Sequence, residues 1–157
     1  MPLLDFKEIA QANLANGLQD TFELFARDFF MMLGFKIKEG PDRGQDGGRD
    51  LIISEKREGI IGDTEIDWLI SCKHKAHSGK AVLDNDEIDI KGRVEVHGAK
   101  GFIGFYSTII SSPLERKLDG LKRHFDVKVF DHELIEKALL ENPKGKIIAK
   151  RYFPIVL

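Results

Sequence analysis

One cysteine in 157 residues, Cys72, leaves no partner for an intramolecular disulfide and no thiolate cluster for a metal, which suits a reducing compartment. No apolar run approaches the roughly 20 residues that span a bilayer. The first residues, Met1-Pro2-Leu3-Leu4-Asp5, lack the basic segment and apolar stretch of a signal peptide. The expectation is a soluble, cytoplasmic chain with no membrane partner. Charge of one sign is also missing: 24 Lys plus Arg stand against 26 Asp plus Glu, for a net charge of -2. That excludes a histone-like basic tail and an acidic solvating chain, but not a local basic patch that meets nucleic acid. Internal repeats, low-complexity tracts and interior linkers are absent, so residues 1–157 read as one domain with one substantial core.

What is present is an alternation of helical and strand patterns. Asp5 and Glu8 read as a capping box, followed by an apolar stripe of period near 3.6 from Phe6 to Leu33 with a weak point at Gly17. That predicts one long helix bent near Gly17, or two helices meeting there, with Gly34 ending the run. A short strand or strand lead-in follows at 35–39, then a glycine-dense loop from Gly40 to Gly48. Leu51 to Ile53 and Thr64 to Lys73 predict two strands of an antiparallel hairpin, with Glu55 to Asp63 turning the chain. Leu69, Ser71 and Lys73 share one side of the second strand, and Trp68, Ile70 and Cys72 the other. Lys75 to Asp89 reads as an exposed loop whose acidic run, Asp84, Asp86, Glu87 and Asp89, faces solvent or a partner.

Further on, a helix is expected over 88–99 and a buried strand over 101–108, with Gly104 marking a close approach. Ser112-Pro113-Leu114-Glu115 predicts a capped helix reaching His124. A strand at 126–130 and a helix from Asp131 to Leu140 come next, and the tail from Lys146 is ambiguous between helix and strand. Strands joined through helices make an α/β sandwich with a central mixed sheet flanked by helices.

Two segments carry candidate chemistry. Gly44-Gln45-Asp46-Gly47-Gly48-Arg49-Asp50 brings a carboxylate to the start of one strand, and Ser71-Cys72-Lys73-His74-Lys75 brings a lysine to the end of the next. Side by side, Asp50 can hold a hard cation such as Mg²⁺, while Lys73 positions water or steadies charge on a phosphate. Glu23 adds a second carboxylate if its helix packs at the same edge. The loop is not a phosphate-binding P-loop, since no Gly-Lys-Ser/Thr closes it before a helix. His74 and His77 lack the further Cys or His that a tetrahedral zinc site needs. A buried packing role suits Cys72 better than a reactive thiolate. Lys73, Lys75 and Lys80 with His74 and His77, and separately Lys144, Lys146, Lys150 and Arg151, form stretches without an acid that suit DNA phosphates or plain solvated surface.

From about Phe22 to Tyr106 the sequence resembles the PD-(D/E)xK nuclease superfamily, and within it the Mrr-like restriction endonucleases. The helix glutamate matches Glu23, the strand-start aspartate matches Asp50 within Gly44-x-Asp46-Gly47-Gly48-x-Asp50, and the strand lysine matches Lys73. The resemblance implies a restriction-endonuclease-like fold and Mg²⁺-dependent hydrolysis of DNA phosphodiester bonds, with Mn²⁺ a possible substitute. It implies Asp50, Glu23 and the backbone carbonyl of Cys72 as metal ligands and Lys73 as the catalytic lysine. DNA contacts would come from Gln45, Asp46, Ser71, His74, Lys75, His77 and Lys80. One position departs: the superfamily has an acid, and Mrr-like members commonly glutamine, two residues before the lysine, where this chain has Ser71. Cutting both strands implies a homodimer or a partner subunit. Two other readings stay open, namely a degraded relative that binds DNA or assembles without cutting, and a nuclease of branched DNA or RNA.

Overall fold

The computed structural model describes residues 3–11, 20–40 and 51–156. Its five strands run β1 (Lys36–Glu39), β2 (Leu51–Arg57), β3 (Thr64–Lys73), β4 (Gly101–Tyr106) and β5 (Asp126–Phe130), in that spatial order. The β1–β2 and β2–β3 pairings are antiparallel, and the β3–β4 and β4–β5 pairings are parallel. β3 is therefore the seam of a mixed sheet. The helices are α1 (Thr21–Leu33), α2 (Ile90–Val96), α3 (Ser112–Leu121), α4 (His132–Glu141) and α5 (Gly145–Tyr152).

Alternation along the strands splits the core between the two sheet faces. On one face, α1, α4 and α5 pack over Ile53, Ile70 and Phe105. Phe105 is the hub there, with ring centroids 5.2 to 5.7 Å from Phe22, Phe25, Phe29 and Phe30 of α1. On the other face, α2 and α3 cover Ile52, Leu69, Phe102 and Tyr106. The expected α/β sandwich with a central mixed sheet is what the chain forms.

Local differences have identifiable causes. The helix expected from Phe6 is only a 3-10 turn, Phe6–Glu8, capped by Asp5. Glu8 does not complete a capping box; its carboxylate accepts the backbone N–H groups of Ile155 and Val156. α1 starts afresh at Asp20, whose side chain accepts from Phe22 N at 2.9 Å. The weak point at Gly17 and the glycine-dense loop from Pro41 to Asp50 lie outside the described residues. β2 runs on to Arg57, because Glu55, Lys56 and Arg57 find partners opposite Ile66, Glu65 and Thr64. α2 is shorter than expected: left-handed Asp89 opens it and left-handed Gly98 follows it. α3 takes Ser111 rather than Ser112 as its cap, with Ser111 Oγ accepting from Leu114 N. The ambiguous tail is helical, and burial of Ile148 and Ala149 against the α1-side core decides it.

Candidate active site

The last residues of β3 gather the described part of the site. Ile70 and Cys72 point into the α1-side core, and Leu69 into the opposite one, so Ser71 and Lys73 face the α2/α3 side. Lys73 is half-buried and makes no side-chain hydrogen bond or ion pair among the described residues; its charge helps hold Asp86 below the usual carboxylate range, where burial raises the carboxyl but Lys75 and Leu83 outweigh it. Leu51, the first residue of β2, pairs with Ile70, one position before Ser71. Asp50, Asp46 and Gln45 lie outside the described residues.

Glu23 is buried in the first turn of α1, where the positive end of the helix dipole favours a carboxylate. Its neighbour Phe22 stacks on His74, with centroids 4.6 Å apart and ring planes 11° from parallel. Because His74 follows Lys73 directly, this contact brings the start of α1 to the C-terminal end of β3.

The two histidines serve the fold at this end. The Nε2 atoms of His74 and His77 lie 2.6 and 2.8 Å from the carbonyl of Ile9. Ser107 Oγ accepts the backbone N–H groups of Lys75 and Ala76, so its own proton goes to His74 Nδ1 at 2.8 Å. That assigns His74 as the neutral Nε2–H tautomer. Burial, with His77 adding to it, pushes the His74 pKa below its ordinary value despite the Ile9 hydrogen bond. Both His74 ring nitrogens are therefore taken within the chain. Lys75 pairs with Asp86, while Lys80 is exposed. Cys72 sits opposite Phe105 in the parallel ladder and packs against the α1-side core.

The 75–89 segment is largely exposed, as expected, but two of its residues turn inward. Val82 is fully buried and bridges to Ile110, and Glu87 is 0% exposed. Its carboxylate accepts from Ser71 Oγ at 2.9 Å, Arg93 Nη1 at 3.1 Å and Tyr106 Oη at 2.6 Å. Burial and the adjacent Glu87 push the Tyr106 phenol well above its usual range. Gly104 pairs with Ser71 and leaves room for the Tyr106 ring, which a Cβ at 104 would meet at 2.4 Å. Sequence reasoning missed Glu87 because it sits in a run of acids; the one hint was the serine where the superfamily has an acid.

Among the described residues, no group of three or more His, Cys, Asp or Glu side chains is placed to hold a metal ion. Oxygen donors such as the Ser71 hydroxyl at the β3 end are hard ones, of the kind that suits Mg²⁺ rather than Zn²⁺.

A family model described as a restriction endonuclease, Mrr_cat, matches residues 15–107. That is more than half of the chain, and the chain belongs to this family. Among solved structures, the DNA modification-dependent restriction endonuclease AspBHI has a similar fold, with a TM-score of 0.65 and 14% identity over 86% of this chain and 34% of that one. The MspJI restriction endonuclease in complex with a 27-mer oligonucleotide aligns at a TM-score of 0.49 and 16% identity, over 97% of this chain and 33% of that one. The chain thus spans about a third of the length of these two proteins. No curated protein matches it. Fold and family place it in the PD-(D/E)xK nuclease class. Among the described residues, no helix is long and apolar enough to cross a membrane.

Proposed function

We propose that the chain is a Mg²⁺-dependent DNA endonuclease, acting as a single cytoplasmic nuclease domain over residues 1–157 and cutting duplexes as a homodimer or with a partner subunit. The observation that carries this is Lys73, half-buried at the end of β3 and without a side-chain hydrogen bond or ion pair among the described residues, in a member of this family. Lys75, by contrast, is neutralised by Asp86.

Asp50 and Glu23, with the Cys72 carbonyl, would hold Mg²⁺ or Mn²⁺. When bound, the ion polarises the scissile phosphate and lowers the pKa of the attacking water. Lys73 orients that water and supports its loss of a proton. Lys80, Gln45 and Asp46 would contact the DNA. The satisfied hydrogen bonds of His74 and His77 hold the strand end in place, so their part in binding is indirect.

Supercoiled plasmid incubated with Mg²⁺, Mn²⁺ or EDTA tests the reading, beside Asp50→Ala and Lys73→Ala. Cleavage that needs metal and falls by about 10²-fold or more in both folded variants is the expected outcome. A folded wild-type protein that binds plasmid but never cuts it, in any metal, would shift the reading to a DNA-binding or assembly domain. Cleavage confined to branched DNA or RNA would move the substrate class.

A further inference from the structure

A carboxylate is buried within hydrogen-bonding distance of the one position where this chain lacks the acid of its superfamily. Ser71 stands two residues before Lys73, is 1% exposed, and gives its hydroxyl hydrogen bond to Glu87 Oε1 at 2.9 Å. Glu87 comes from the segment between β3 and α2. The two residues are 16 apart in the chain and meet because that segment folds over the sheet.

The surroundings hold the glutamate in one orientation. Arg93 donates to the same oxygen as Ser71, and Tyr106 donates to the other. Lys117 Nζ donates to the Glu87 backbone carbonyl at 2.7 Å and anchors the segment from the α3 side. Burying this group is costly. Taking a carboxylate out of water costs several kcal/mol, and a well-packed apolar pair of similar volume is often as stable as a buried ion pair. Packing alone therefore does not call for a glutamate at 87.

We propose that Glu87 is a positioning residue for the metal site, acting through Ser71. Because the Ser71 hydroxyl donates its hydrogen bond to Glu87, the lone pairs of Ser71 Oγ are left for a cation or for its bound water. The carboxylate behind the hydroxyl makes that oxygen a better donor, as an outer-sphere carboxylate does for a ligating histidine. This inference rests on the metal-dependent reading above.

The test is Mn²⁺ binding without DNA, read from the free-ion electron paramagnetic resonance signal, on protein whose fold is checked by circular dichroism. Wild type is compared with Glu87→Gln, Ser71→Ala, the pair Ser71→Ala/Glu87→Gln, and Asp50→Ala. The expected result is a loss of about tenfold or more in Mn²⁺ affinity for each of the first two variants. The double variant should bind no worse than Ser71→Ala alone, because the glutamate acts only through the serine. Ser71→Ala removes a single hydroxyl and keeps the test valid if Glu87→Gln fails to fold. Wild-type affinity in Ser71→Ala, or a further loss on adding Glu87→Gln to it, overturns the inference. If Asp50→Ala still loses Mn²⁺ in either case, the metal-dependent reading survives without it. A wild-type protein that takes up no Mn²⁺ overturns both.

Discussion

Ser107 shows how much one hydroxyl can hold at the end of a strand. It accepts the backbone N–H groups of Lys75 and Ala76 in the turn after β3 and donates to His74. Ser107→Ala leaves those buried donors unsatisfied and should lower stability by about 1–3 kcal/mol, measured by urea unfolding. His74 adds a pH dependence with a definite sign. Its pKa is depressed by burial in the folded state, so the unfolded chain binds the proton more readily. The stability tied to the neutral ring is fully present above the ordinary histidine value of 6.5 and is lost as pH falls below it toward the folded pKa. The melting temperature should therefore fall from about pH 6.5 downward in wild type and fall less in His74→Gln. At this scale the sequence marks residues whose neighbours in the chain carry the pattern, such as Lys73 after its alternating strand. Glu87 is not legible in that way. Acids at 84, 86, 87 and 89 look alike in sequence, and only the fold of the segment sends one of them inside.

Among the elements, α1 and α5 are joined by an acid with three donors. Asp28 accepts from Arg27 at 3.0 Å, Arg151 Nη1 at 2.9 Å and Tyr152 Oη at 2.6 Å. Burial raises the Asp28 carboxyl, but the hydrogen bonds from Tyr152 and the two arginines outweigh it and hold the group below its ordinary value. In return, burial and the Asp28 hydrogen bond push Tyr152 up to about 12. Tyr152→Phe should cost about 1.5–3 kcal/mol, a hydrogen bond to a charged group, and its effect should shrink as pH falls below the usual aspartate range. Arg151 belongs to a basic stretch that suits either DNA phosphates or plain solvated surface in sequence, and the structure pairs it with Asp28. β1 was legible from its alternation, β4 from its continuous apolar run, and α3 and α4 from their caps. Gly34 ends α1 as its position suggests, but the start of the N-terminal stripe and the tail were not legible. An apolar period of 3.6 shows that residues can line one face, but not whether the backbone between them stays helical, and Phe6 and Ile9 reach the core from a 3-10 turn and an extended residue.

Across the whole molecule, one end of the sheet carries the candidate site and the other carries an apolar knob. The β2–β3 turn, closed by Gly59 N to Gly62 O at 3.1 Å, displays Ile60 and Ile61 fully to solvent at 107% and 102% exposure. Neither touches the core, so the double change Ile60→Ser/Ile61→Ser should shift stability by no more than about 0.5 kcal/mol and leave plasmid cleavage unchanged. The seam at β3 has a different consequence, for the order in which the molecule is made. Its antiparallel partner β2 is a near neighbour in the chain, but its parallel partner β4 arrives only after the whole 74–100 crossover. Pairing over that separation is slow to close. During synthesis Ser71, Lys73 and Glu87 all leave the ribosome before Tyr106, which fastens Glu87 in place. A nascent chain thus holds its site residues for some time in an unassembled state.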